Sequence, residues 1–382
     1  MRNSRRGEVD PFIVMEVMEA SAAAEQEGRH IIHMEVGQPS TPAPAAARDA
    51  LAQALKDEDP LGYTVTPGLP ALRQGIADLY GKWYGIDLDP GRIIITPGSS
   101  GAFLLAFIAL FDAGQRVAMG RPGYPSYRQI IRALDLEALE IETGEENRFQ
   151  PVPDDLKDLD FDGLMIASPG NPTGTMLGRD EMAGLIGASQ AKGAAFLSDE
   201  IYHGLHFEGR SVSALEISDD VVVINSFSKY FSMTGWRVGW LVLPEENVKQ
   251  VERLAQNMFI CAPHAAQVAA LGALSGFDEL EGHHAVYARN RQLMMEGLPQ
   301  AGFDRIAPPD GAFYVYADVS HLTDDSRAFA RQILDEAGVA VTPGLDFDPI
   351  RGHHTLRFSY AQNTEAIEEG LERLSTFMAK RG

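Results

Sequence analysis

The sequence predicts an α/β protein, with a mostly parallel sheet between helices and a smaller α+β part behind it. Three observations carry that prediction. Short apolar runs alternate with helix-patterned stretches over the first two thirds of the chain. Those runs are continuous rather than alternating, as strands covered on both faces must be. After about Gly276 the pattern changes to longer helical stretches separated by short strands.

Residues 9–27 place Phe12, Met15, Met18 and Ala22 at helical spacing and stop at Gly28, a residue suited to a helix C-terminus. Residues 31–34 read as a short strand. The stretch 37–44, rich in Pro, Ser and Thr, reads as a loop. Helices are expected over 45–56 and 69–84, then a strand over 92–96, a helix over 99–111 and a strand over 116–119. A helix over 124–134 and strands over 137–141 and 164–168 come next. Helix 179–192 and strands 195–198, 221–225 and 238–243 follow. In the last third, helices 278–296, 325–337 and 364–379 alternate with strands 313–317 and 354–358. The expected division is a large part over 42–277 and a small part over 278–382, joined by the N-terminal segment 1–41.

Composition narrows the function. The chain has 382 residues, 45% hydrophobic and 23% charged, which is ordinary for a globular protein. Its net charge of −22 argues against a nucleic-acid partner, which needs a basic stripe. One cysteine, Cys261, allows neither an intramolecular disulfide nor a cysteine-based zinc cluster, and a reducing cytoplasm fits it best. The longest apolar runs fall far short of the roughly 20 residues a membrane span needs, and residues 9–18 lack the apolar core of a secretory signal. No membrane role is expected.

In open sheets of this kind, ligands sit beyond the carboxyl ends of the strands. Four polar clusters follow expected strands directly: Thr96-Pro-Gly-Ser-Ser-Gly101, Ser168-Pro-Gly-Asn-Pro-Thr-Gly174, Ser198-Asp-Glu-Ile-Tyr202 and Ser226-Phe-Ser-Lys229. They point to one composite site. The chain has so few lysines that each can be weighed singly. Lys229 alone joins a strand end, a serine-rich approach and an arginine eight residues on, Arg237. Desolvation and a cationic neighbour would turn it into a reactive amine, although an ion-paired lysine would read the same. Asp199 could cap a helix, bind a metal or act as a base. Residues 98–101 could cradle a phosphate or simply form a capped turn.

Taken together, the order and spacing of these clusters, with Gly235-Trp-Arg237-Val-Gly239, closely resemble the class I/II aminotransferases. Val36-Gly37-Gln38-Pro39, Gly62-Tyr63, Pro122-Gly-Tyr124-Pro and Leu356-Arg357-Phe-Ser agree as well. The resemblance runs from about Asp10 to the last helix. It implies a fold type I transferase dependent on pyridoxal 5′-phosphate, working as a homodimer. It also implies ping-pong transfer of an amino group from an L-amino acid to a 2-oxo acid.

The resemblance further implies roles. Lys229 matches the lysine that forms a Schiff base with the cofactor and then carries the proton. Asp199 matches the partner of the pyridine nitrogen, Asn171 and Tyr202 the donors to the ring 3′-oxygen, and Tyr124 the stacking aromatic. Ser99, Ser100, Ser226 and Arg237 match the phosphate site, with Tyr63 reaching it from the other subunit. Arg357 matches the arginine that grips the substrate α-carboxylate, with Asn171 beside it and Gly37 lending a backbone contact. No residue matches an arginine for a side-chain carboxylate. His203 and His206 read as structural or pocket-lining, and no metal is expected. Met15, Met18 and Met258 read as core or pocket fill. A β-eliminating lyase or decarboxylase on the same scaffold is the alternative. A regulatory or non-catalytic relative is a remote one, because the chemical residues are all present.

Overall fold

The structure, a computed structural model, describes residues 2–381. Its centre is a seven-stranded sheet built from β2 (Ile93–Thr96), β3 (Arg116–Arg121), β4 (Glu137–Glu142), β5 (Gly163–Ala167), β6 (Ala195–Asp199), β7 (Val222–Ser226) and β8 (Gly239–Val242). The spatial order is β2-β8-β7-β6-β5-β3-β4. All neighbours run parallel except β8, which pairs antiparallel with β7 and β2. Strands such as Ile-Ile-Ile-Thr in β2 and Val-Val-Ile-Asn-Ser in β7 are buried along their whole length, because helices cover both faces. The exception is β4, where Glu137 and Glu142 are exposed and Ile141 is buried. It is one edge of the sheet, and unlike β2 at the other edge it is left partly open to solvent, so its run is not continuously apolar.

Seven helices accompany this sheet and its flanks, α2 (Ala45–Lys56), α3 (Pro70–Tyr84), α4 (Gly98–Leu110), α5 (Pro125–Ala133), α6 (Arg179–Ala191), α7 (Glu245–Met258) and α8 (His264–Ala273), while α1 (Ile13–Gln26) packs on the C-terminal part. The helix expected from residue 9 begins at Ile13 instead. There the Asp346 carboxylate, far away in sequence, accepts from the Ile13 and Val14 amides and so caps the first turn. Met258 at the end of α7 is 44% exposed, which corrects its reading as core fill.

The C-terminal part holds a four-stranded antiparallel sheet, β12-β13-β10-β9, made of β9 (Arg305–Ile306), β10 (Tyr314–Asp318), β12 (Thr342–Pro343) and β13 (Thr355–Ser359). Three helices belong to it, α9 (Phe277–Gln300), α10 (Ser326–Gln332) and α11 (Thr364–Ala379). The helix expected over 325–337 widens into a π turn over Ile333–Ala337. The N-terminal β1 (Ile32–His33) pairs in parallel with β11 (Val339–Ala340). Among the described residues, no helix is long and apolar enough to cross a membrane.

Candidate active site

Strands β5, β6 and β7 are parallel neighbours, so their carboxyl ends lie at one edge of the sheet. The polar clusters that follow them meet around a cavity of about 460 Å3. Asp199 ends β6 and is 3% exposed. Its carboxylate accepts from the Ile201 amide at 3.1 Å and from the Tyr127 hydroxyl of α5. Burial pushes its carboxyl up to about 6. The Tyr127 hydroxyl, the Ile201 amide and the Lys229 ammonium pull the other way.

Lys229 lies three residues past the end of β7, on a turn rather than in the strand. Its Nζ donates to the Gly37 carbonyl at 2.5 Å. Burial, with the charges of Arg357 and Arg237, brings its pKa down to about 8, while Asp199 opposes the shift. Position 37 must be glycine, because a Cβ there would collide with the Tyr314 hydroxyl. That hydroxyl in turn meets the Tyr202 hydroxyl at 2.7 Å.

Arg357, on β13, is 4% exposed. It donates to Asn171 Oδ1 at 2.8 Å and to the Glu35 carbonyl at 2.5 Å. The rings of Tyr314 and Phe347 lie 4.3 and 4.6 Å from the guanidinium carbon. Its Nε is buried and has no hydrogen-bond partner. An orphaned guanidinium donor on a cavity wall fits an incoming carboxylate.

The other end of the cavity is built for an anion. Helix α4 starts at Gly98, and no side chain caps its first amides. Gly98 has φ +71°, and a Cβ on it would lie 2.5 Å from Arg237 Nη2. Arg237 donates to the Thr234 carbonyl at 2.9 Å and has no carboxylate partner among the described residues. Ser99, Ser100 and Ser228 complete this end.

The remaining wall is apolar. Phe12, Val14, Met15 and Met18 reach it from the start of α1, and Phe347 from the C-terminal part. Asp346 lines the same wall while holding α1 in place through the Ile13 and Val14 amides. Tyr124 stands beside Phe12, with ring centroids 5.8 Å apart.

Of the residues given a catalytic, cofactor or substrate role from sequence, Ser226 and Tyr63 do not line the cavity, and neither do His203 and His206. Ser226 is buried behind the wall, its Oγ accepting from the Ser228 amide at 3.0 Å, and Ser228 is the serine on the surface. Tyr63 is 82% exposed and does not line this chain's own cavity. Sequence reasoning missed Tyr127, Ser228, Tyr314 and Asp346. Tyr127 carried a signal, because it lies three residues after Tyr124 and so shares a helix face with it. Tyr314 and Asp346 had no local signal.

A family model for aminotransferase class I and II matches residues 29–374. The chain belongs to that family. It is therefore a transaminase dependent on pyridoxal phosphate. It is 45% identical to the valine–pyruvate aminotransferase of Mycobacterium tuberculosis over 383 residues, covering 99% of this chain and 98% of that one. A crystallised protein of Silicibacter pomeroyi is 66% identical, with each chain covered fully and a TM-score of 0.96. The Thermus thermophilus aspartate aminotransferase crystallised with maleate is 30% identical, covers 98% of this chain and all of that one, and has a TM-score of 0.92. These matches bear out the expected fold type I architecture.

Proposed function

We propose that this transaminase takes the amino group of an L-amino acid with an apolar side chain and passes it to a 2-oxo acid. The transfer would run in two half-reactions, the first oxo acid leaving before the second substrate enters. The carrying observation is the charge inventory of the cavity. Its cations are Lys229, Arg237 and Arg357, and each already has a task. Among the described residues of this chain no further cation lines the cavity to meet a side-chain carboxylate, and Asp346 on that wall would repel one. Phe12, Val14, Met15 and Met18 suit a hydrocarbon side chain instead. The valine–pyruvate relative supports this choice over the aspartate enzymes.

The residues present fit pyridoxal phosphate. The α4 amides, Ser99, Ser100, Ser228 and Arg237, with Ser226 behind them, would hold the phosphate. Asp199 would face the pyridine nitrogen, Asn171 and Tyr202 the 3′-oxygen, and Tyr124 the ring face. When bound, the cofactor supplies an aldehyde for covalent attachment and a ring that draws electron density from the substrate Cα. Lys229 Nζ, with its pKa brought down to about 8, is neutral often enough near neutral pH to take the Cα proton. Asp199, ionised, keeps positive charge at the ring nitrogen. Arg357 orients the substrate by its α-carboxylate, with the Gly37 backbone close by.

Two copies would share their sites. Leu55, Tyr63, Val65, Ile260 and Leu271 are large exposed apolar side chains on α2, α8 and the segments beside them. Gly62 and Thr64 hydrogen-bond to His264 and Gln267, so this loop and α8 form one face. Such a face suits a second copy, and Tyr63 would reach that copy's phosphate end. The large part 42–277 would carry the cofactor. The small part 278–382, with 1–41, would carry Arg357 and the apolar lid. The test follows products from L-valine and pyruvate. Equal amounts of alanine and the branched oxo acid, without ammonia, are expected, and ammonia or carbon dioxide release would point to elimination or decarboxylation.

A further inference from the structure

We propose that His203 is a positioning residue that locks the loop carrying Asn171 against the turn carrying Asp199 and Tyr202. The proposal rests on the cofactor assignment above. Residues 200–203 form a turn directly after Asp199 at the end of β6, closed by the His203 amide on the Glu200 carbonyl at 2.9 Å. The His203 ring points from this turn across to the neighbouring loop, and its Nε2 lies 2.9 Å from the Ser168 carbonyl. A carbonyl can only accept, so Nε2 carries the proton. Nδ1 then accepts, and the Tyr84 hydroxyl donates to it at 2.6 Å.

Ser168 opens the loop that carries Asn171, and Asn171 Oδ1 takes the Arg357 guanidinium at 2.8 Å. One imidazole therefore ties together the segment that carries Asn171 and the segment that carries Asp199 and Tyr202, which between them are assigned the ring nitrogen and the 3′-oxygen of the cofactor. Two hydrogen bonds, with the chain from Ser168 to Asn171 between them, separate the imidazole from the arginine that orients the substrate. The ring is only 2% exposed, so no solvent competes for either nitrogen. Burial brings the His203 pKa down to about 3, which keeps the ring neutral and the tautomer fixed. Glu200 fits the same neutral network. Burial raises its carboxyl to about 8, and it is held by Ser198, Ser213 and the Ala214 amide, 3.5 Å from His203 Nδ1.

His203 touches neither the cavity nor a reacting atom, so its effect must appear as the quality of the ring pocket. The experiment measures cofactor affinity by equilibrium dialysis of pyridoxal phosphate against the cofactor-free protein, with the thermal midpoint recorded for each variant. His203→Gln can place its amide nitrogen where Nε2 stands and donate to Ser168. His203→Asn has the same chemistry and is too short to reach. The Gln variant is expected to bind within about twofold of the parent, and the Asn variant about tenfold more weakly, as suits one buried carbonyl left unpaired. Tyr84→Phe keeps the Ser168 bond and is expected to stay within about threefold. Equal affinities for Asn and parent overturn the proposal, as does a Gln variant as weak as the Asn variant at matching thermal midpoints. Failure of the parent protein to bind pyridoxal phosphate would instead overturn the cofactor assignment itself.

Discussion

Replacing Tyr127 by Phe removes a single hydroxyl from the site and keeps the ring. The ring is wedged between Phe103 and Tyr124, both with centroids 5.2 Å away, so its packing should persist. What is lost is the hydrogen bond to Asp199 Oδ2. A hydrogen bond to a charged group contributes about 1.5–3 kcal/mol net. At 1.36 kcal/mol for each factor of ten, the protonated acid gains about ten- to a hundredfold. Asp199 titrates at about 6 with the hydroxyl present, so the variant's carboxyl should titrate above neutrality. At pH 7 the parent holds a carboxylate there and the variant a neutral acid, which cannot keep charge on a ring nitrogen.

The sign for stability follows. The folded value lies above the roughly 3.9 of an unfolded aspartate. Its contribution to stability is therefore complete below about pH 4 and is lost as pH rises through about 6. In Tyr127→Phe that loss should continue past pH 7. The assay is the carbon-13 carboxyl titration of Asp199 in cofactor-free protein from pH 4 to 9, with urea unfolding at pH 5 and 8. An Asp199 that titrates at the same pH in both proteins would refute the reasoning.

Three further outcomes are expected. Arg357→Lys loses the forked grip and the orphaned Nε, so KM for the amino donor should rise about a hundredfold. An unchanged KM in steady-state kinetics would remove Arg357 from substrate binding. Gly98→Ala puts a methyl against Arg237 at a backbone angle alanine resists, and should weaken pyridoxal phosphate binding at least about tenfold in equilibrium dialysis. Val65→Asp sets a charge in the exposed apolar face, and sedimentation should show a dimer turning to monomer, with cofactor loss if Tyr63 serves the partner's phosphate end.

Much of this was legible in the chain. The buried strands announced themselves because a doubly covered strand can be apolar throughout, as Ile93–Thr96 is. The two helices after β8 were not, for different reasons. Glu245–Met258 does carry a stripe, Val248, Val251, Leu254 and Ala255 at helical spacing, set among so many charged and polar residues that sequence reasoning missed it. His264–Ala273 is so rich in alanine that no stripe stands out. At the site, Lys229, Asp199 and Asn171 follow strands directly, and strand order alone brings them together. Tyr314 and Asp346 come from the C-terminal part, and Tyr314 lies 112 residues along the chain from Tyr202, the side chain it meets. Only packing between the two parts places them. Ser226 and Ser228 differ by two residues at the point where β7 gives way to a turn, and strand alternation no longer decides which one faces the cavity.

The measurement that tests the central claim most directly is the single-turnover half-reaction of the cofactor-loaded protein with L-valine and with L-aspartate, followed by absorbance. The charge inventory of the cavity predicts a specificity constant at least about tenfold higher for valine, a difference of about 1.4 kcal/mol that burying a hydrocarbon side chain readily supplies. A constant equal or higher for aspartate would contradict it, and would mean that a cation reaches the Asp346 wall.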